Sequence, residues 1–204
     1  MTLRELLRQA HRIDPDSIDA PPPDLDPDAL REQVLLTKQV MDTATRRDVE
    51  VAASYDENEV MPVVHFARDV LGVQMSPNTP REIDAFVQNK FIEPVLFRVK
   101  AEFAVPRPHV LAARFGIPYN MPVESRWLSA KSYPSGHAGG SRLAAHVLAD
   151  LYGSQLTGAQ RDRLFEFANS VGFSRMQIGA HTPQDLIAAQ SLADEYFALL
   201  TKHL

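Results

Sequence analysis

No cysteine occurs anywhere in the 204 residues, which excludes disulfides, thiolate metal sites and a cysteine nucleophile, and fits a reducing compartment. Long apolar runs are missing as well. No stretch approaches the roughly 18 apolar residues of a membrane-spanning helix, and the N-terminal MTLRELLRQAHRIDPDS lacks the apolar centre of a signal peptide. The expectation is a soluble, cytoplasmic protein. Positive charge is not in excess: 21 Lys and Arg against 26 Asp and Glu leave a net charge of -5. Nucleic acid and anionic membrane are therefore not expected partners, and any anion site must be local. Strand-like alternation is scarce, and there is no internal repeat. A homo-oligomer is compatible with the sequence and not specified by it.

What is present is helical periodicity, with 45% hydrophobic residues, enough for one core in a chain of this length. Leu3, Leu6, Leu7 and Ala10 predict a short helix over residues 2–12. Residues 14–28, with five prolines among acids, read as an extended connector. Residues 1–28 thus form an arm, and residues 29–204 a helical domain. A second helix begins near Pro27 and buries Leu30, Val34, Leu35 and Val40 or Met41, with residues 46–53 as its prolongation. A third covers residues 57–71. A fourth starts at Thr79-Pro80-Arg81-Glu82 and runs through Val99 with a kink at Pro94. Residues 105–134 contain five prolines and read as one long irregular segment. Helical patterns return after Gly136, after Thr157 and after Pro183, the last reaching about Lys202. The fold class is all-α, a single-domain helical bundle.

Three stretches concentrate chemistry. In Ser174 to Asp185, Arg175 and His181 lie six residues apart, about 240° around a continuous helix, so they share a site only if the helix stops between them. Gly179 offers the stop. Thr182, Pro183 and Asp185 then read as cap, first helical position and first-turn acid of a new helix. The Asp185 carboxylate is placed to accept one ring N–H of His181 and set its tautomer. The second stretch is Lys100 followed after six residues by Arg107-Pro108, and the third is Pro134-Ser135-Gly136-His137. A phosphoryl group in transfer spreads negative charge over three oxygens, which Lys100, Arg107 and Arg175 suit as a clamp. Ser135 and Gly136 precede a helix, where an exposed amide and the helix terminus favour an anion. Singly, each residue has a plain structural explanation as a solvated charge, a cap or a helix entrance.

In these residues the chain resembles the superfamily of type 2 phosphatidic acid phosphatases, bacterial acid phosphatases and vanadium haloperoxidases. Its pattern is Lys-x6-Arg-Pro, Pro-Ser-Gly-His and Ser-Arg-x5-His-x3-Asp, unbroken here from Lys100 to Asp185. The resemblance implies the helical bundle of that superfamily. It also implies His181 as nucleophile forming a phosphohistidine, Asp185 as its orienter and His137 as general acid and then base. Lys100, Arg107, Ser135, Gly136 and Arg175 would bind the phosphate, with no metal and no cofactor.

The expected function is metal-independent hydrolysis of a small-molecule phosphomonoester, or of a diphosphate. The alternative is a vanadate-dependent haloperoxidase with vanadate bound through His181, although that branch is much longer than this chain. A non-catalytic phosphate-binding protein is the third reading. His65 and His146 read as packed or surface residues, and His11, His109 and His203 as end or loop residues. Phe115, Tyr119, Trp127 and Tyr133 are candidates to roof the pocket, and Arg126 and Lys131 to meet a second anionic group.

Overall fold

The computed structural model describes residues 2–123 and 126–202, apart from the side chains of Arg126 and Trp127. The readings made of those two side chains and of His203 lie outside the described residues. No strand occurs among them.

Helix α1 (Leu3–Ala10) opens on a capping box between Thr2 and Glu5 and buries Leu6 in the main core. The proline-rich segment that follows is a strap fastened along its length. The Ile18 carbonyl accepts from Arg98 Nη2 (2.5 Å), the Pro21 carbonyl from the Tyr133 hydroxyl, and the Asp24 N–H donates to Gln184 Oε1 (3.1 Å). Ile18 itself is fully buried. Helix α2 (Pro27–Thr43) is capped by Asp26. Residues 46–53 do not prolong it. Ala44 is extended, and the Thr45–Asp48 capping box starts a separate α3 (Arg46–Ser54), the side-chain caps satisfying amides that a continuous helix would have paired.

The third helix starts later than residue 57 because the Asn58 side-chain oxygen Oδ1 accepts from the Val60 and Met61 amides (2.9 and 2.7 Å). It comprises α4 (Met61–His65) and a π-helical turn over Phe66–Val70. Helix α5 (Thr79–Val87) runs through a π-helical stretch, Gln88–Leu96, into α6 (Phe97–Phe103). Pro94 sits inside that stretch. It lacks an N–H, and it falls where the helical register is widened. The irregular segment contains α7 (Pro108–Arg114). Pro108 there opens a helix from its first position, behind an extended Arg107.

Helix α8 (Gly136–Leu151) is the central element, packed on both α9 (Gly158–Gln177) and α10 (Pro183–Thr201). Leu143, Ala144, Val147 and Leu148 are completely buried. Its approach to α9 depends on Gly172, where a Cβ would lie 2.9 Å from Ala138 Cβ and 3.1 Å from its Cα. Gly172→Ala should therefore destabilise the protein by about 1–2 kcal/mol, overpacking against backbone outweighing a helix-propensity gain of about 1 kcal/mol. Urea unfolding measures the shift, and an unchanged midpoint would show that the two helices can separate freely. No described helix is long and apolar enough to cross a membrane.

Candidate active site

Three segments meet at one end of the bundle: the end of α6 with the residue capping α7, the loop entering α8, and the turn between α9 and α10. Gly179 makes that turn with φ of +74°, and the Tyr119 hydroxyl donates to its carbonyl (3.0 Å). A side chain here is excluded twice, by the left-handed backbone and by Met41 Sδ, which would lie 2.7 Å from a Cβ at this position. The stop turns His181 back toward the cavity that Arg175 also lines, about 610 Å³ in volume.

His181 is 3% exposed and held from both ring nitrogens. Arg107 Nη1 lies 2.7 Å from Nε2, and Asp185 Oδ2 lies 3.2 Å from Nδ1. A guanidinium only donates, so Nε2 is the acceptor and carries the lone pair, and Nδ1–H donates to Asp185. Burial, then the charges of Arg107, Lys100 and Arg175, hold the His181 pKa well below its ordinary value, so the ring is neutral. Asp185 is completely buried. Its Oδ2 also accepts from Ser132 Oγ (2.6 Å) and the Thr182 N–H (2.8 Å). Burial raises the Asp185 pKa, against the pull of those hydrogen bonds and of Lys100 and Arg107.

The cations are held as firmly. Arg107 Nε donates to the Ala130 carbonyl and Nη1 to the Ala180 carbonyl (both 2.9 Å), and burial brings its pKa down to about 10. Arg175 Nη1 donates to the Ala52 carbonyl (2.9 Å) and Nη2 to Asp56 Oδ1 (2.5 Å), while its buried Nε has no partner among the described residues. Lys100 Nζ donates to the carbonyls of Lys131 (3.2 Å), Ser132 (2.9 Å) and Pro134, and so fastens the loop containing the cis Tyr133–Pro134 bond. Burial and the nearby Arg107 charge push the Lys100 pKa down to about 7.

Ser135 caps α8, its oxygen accepting from the Ala138 N–H (3.3 Å), and its own N–H donates to the Asp185 carbonyl (2.9 Å). It does not line the cavity, whereas Gly136 and His137 do. His137 Nε2 donates to the Tyr55 carbonyl (2.8 Å). Burial, then the Arg175 charge, takes its pKa down to about 3, so the ring is neutral with a bare Nδ1.

The cavity thus brings together Lys100, Arg107, Gly136, His137, Arg175 and His181, with Asp185 behind His181 and Ser135 behind Gly136. Ser132 and Asp56 were not anticipated. Neither belongs to a spaced motif, and only the fold sets them against Asp185 and Arg175. The expected aromatic roof is absent among the described residues. Phe115 and Tyr119 pack against the cluster of Val34, Leu111 and Ala112, and Tyr133 stands edge-on to Phe103 in the core. Phe97, Ile92 and Leu128 wall the cavity in their place, together with Lys131. His65 is exposed, and His146 stacks on Phe197 and bonds Asp194.

No family model and no curated protein matches this chain. Among solved structures, a transmembrane PAP2 type phosphatidylglycerolphosphate phosphatase from Bacillus subtilis is similar, with a TM-score of 0.57 and 16% identity. The match covers 97% of this chain and 91% of that one. At this identity the likeness shows the fold, which is the helical PAP2 type.

Proposed function

We propose that this protein is a phosphatase that hydrolyses a phosphomonoester or a diphosphate through a phosphohistidine at His181, without a metal. The observation that carries the reading is the fixed tautomer of His181. Its lone pair on Nε2 accepts from Arg107 Nη1, and the ring lines the same cavity as Lys100, Arg107 and Arg175. The phosphatase fold of the similar structure supports the same chemistry.

In the first step the phosphoryl oxygens take hydrogen bonds from Arg107, Arg175 and the Gly136 amide, with Lys100 supplying charge. Arg107 Nη1 transfers its hydrogen bond from the ring to an incoming oxygen, which uncovers the lone pair. Nε2 attacks phosphorus, the bond to the leaving oxygen breaks, and His137 Nδ1–H protonates that oxygen. A neutral His137 must first gain this proton, and a bound anion raises its pKa in the required direction. Asp185 balances the positive charge on the phosphorylated ring. Water then gives its proton to His137 and attacks phosphorus, the N–P bond breaks, and phosphate leaves with the Nε2 lone pair restored.

Hydrolysis of an aryl phosphate in the presence of chelator tests the reading, beside halide oxidation by peroxide after vanadate loading. Phosphate release that survives chelation is expected. Loss on chelation sinks metal independence, and halide oxidation without hydrolysis supports the vanadate alternative. The pH dependence should be bell-shaped. The Lys100 charge is lost from the free protein as pH rises through about 7, so kcat/KM should fall across that range, and protonation of Asp185 should lower it on the acid side. Stability should respond oppositely. The folded Lys100 pKa lies below its ordinary 10.5, so the unfolded chain binds more protons between those values and this contribution to stability rises with pH. Cytoplasmic residence belongs to the same reading.

A further inference from the structure

The cavity has a second polar wall that the chemistry at His181 leaves unused. Asp84 and Gln88 stand four residues apart on the α5 helix and its π-helical continuation, and both line the cavity with Glu59. Gln88 Nε2 donates to Glu59 Oε1 (3.0 Å), and Asn58 Nδ2 donates to Asp84 Oδ1 (3.2 Å). Glu59 is only 9% exposed, and its stem is wedged against α8, where a Cβ at Gly140 would lie 2.6 Å from Glu59 Cγ. Burial raises the Glu59 pKa, the Asp84 charge adds to the rise, and the Gln88 amide and the Arg175 charge offset only part of it; a carboxyl group buried this deeply is costly, and an apolar residue of the same size would serve packing better. Two neighbouring acceptors therefore face a space in which a ligand's donor would satisfy both.

A separate observation points to a ligand in the same cavity. Arg175, 2% exposed, presents a buried Nε with no partner among the described residues, and the cavity of about 610 Å³ is far larger than a phosphate. A phosphoester anchored at the cations projects its alcohol across this space.

We propose that Glu59, Asp84 and Gln88 form the subsite for the leaving alcohol and select phosphomonoesters whose alcohol carries a hydrogen-bond donor, an ammonium or a second hydroxyl. This rests on the phosphatase reading for the position of the phosphorus. The acceptors reward a donor with a charge-assisted hydrogen bond and are left unpaired by an alkyl group. Phe97 and Ile92 flank the carbon chain between the two ends.

The test is a matched series that differs in one terminal group: 2-aminoethyl, 2-hydroxyethyl and propyl phosphate, with the corresponding 4-aminobutyl, 4-hydroxybutyl and pentyl phosphates for longer reach. In the wild-type protein kcat/KM should favour one donor-bearing member over its alkyl partner by about tenfold or more, as expected for one charge-assisted bond. Glu59→Gln should reduce that ratio to about twofold, with no loss of melting temperature because a buried acid has been removed. Preference for the amine or for the hydroxyl identifies the donor. Equal rates within both series overturn the proposal. So does a Glu59→Gln variant that keeps the ratio, or that loses stability and slows every ester alike.

Calorimetric binding of the six esters to His181→Ala reads the subsite without turnover. Selective binding there supports the proposal even if the wild-type protein hydrolyses nothing, a result that would sink the phosphatase reading alone. Unselective binding beside intact aryl phosphate hydrolysis overturns the subsite and leaves that reading standing.

Discussion

Replacing His181 with alanine should lower kcat for an aryl phosphate by about ten-thousand-fold or more, because it removes the proposed nucleophile. KM should change little by comparison. Arg107, Arg175 and Lys100 keep their own carbonyl and carboxylate partners in the variant, so the clamp that recognises the ester survives. Asp185 likewise keeps Ser132 and the Thr182 N–H. The vacated space is the size of an imidazole, and added imidazole should restore part of the rate. An acid-labile phosphate should be trapped on wild-type protein during turnover and be absent from the variant. Activity at the wild-type level would remove His181 from the mechanism, and a labelled variant would place the nucleophile elsewhere.

Asp185→Asn should lower kcat by about a thousandfold, less than the roughly ten-thousandfold lost when the same change in an acid–imidazole pair also produces the wrong tautomer. The Ser132 hydroxyl and the Thr182 N–H both donate to Oδ2, which forces the amide oxygen of asparagine into that position. The Nδ1–H of His181 then still finds an acceptor, and the tautomer is kept. What is lost is the negative charge facing the ring once Nε2 carries phosphorus. Asp185→Ala removes orientation as well and should be slower still. Proton NMR of the imidazole nitrogens distinguishes the two effects. A tautomer that changes in Asp185→Asn would show that charge, and not the geometry around Oδ2, sets it.

The same substitution carries a stability signature of opposite sign. Burial raises the folded-state pKa of Asp185 above its ordinary 3.8, so its contribution is full below that value and is lost as pH rises through the folded pKa. Asparagine does not titrate. The variant should therefore gain stability relative to the wild type as pH increases through that window, while its activity stays low. Thermal unfolding across pH measures this directly.

Much of the local structure is readable from neighbouring residues alone. Thr2 with Glu5, and Thr157 with Gln160, close capping boxes within three residues, so the sequence contains the complete instruction for those helix starts. The period of Leu143, Ala144, Val147 and Leu148 defines the buried face of the central helix in the same way. Sequence and structure part where one residue type supports two local outcomes. Proline ends a helix in its interior and begins one at its first position, so residues 105–134 read as irregular although Pro108 opens α7. Pro94 reads as a break in an α-helix, and the structure places it in a π-helical stretch that the spacing does not announce.

By itself the sequence determined an all-α chain, the capped starts of several helices, and a spaced set of cations, histidines and a carboxylate suited to an oxyanion. Those properties depend on spacings of a few residues and on residue chemistry. Tertiary structure alone decided how the set is wired. Arg107 reaches His181 across 74 positions, Ser132 reaches Asp185 across 53, and Arg175 reaches Asp56 across 119. It also turned Lys100 onto three loop carbonyls and set Glu59 in the far wall of the cavity. Buried donors and acceptors must find partners, and in a folded chain the nearest partner in space is seldom the nearest in sequence.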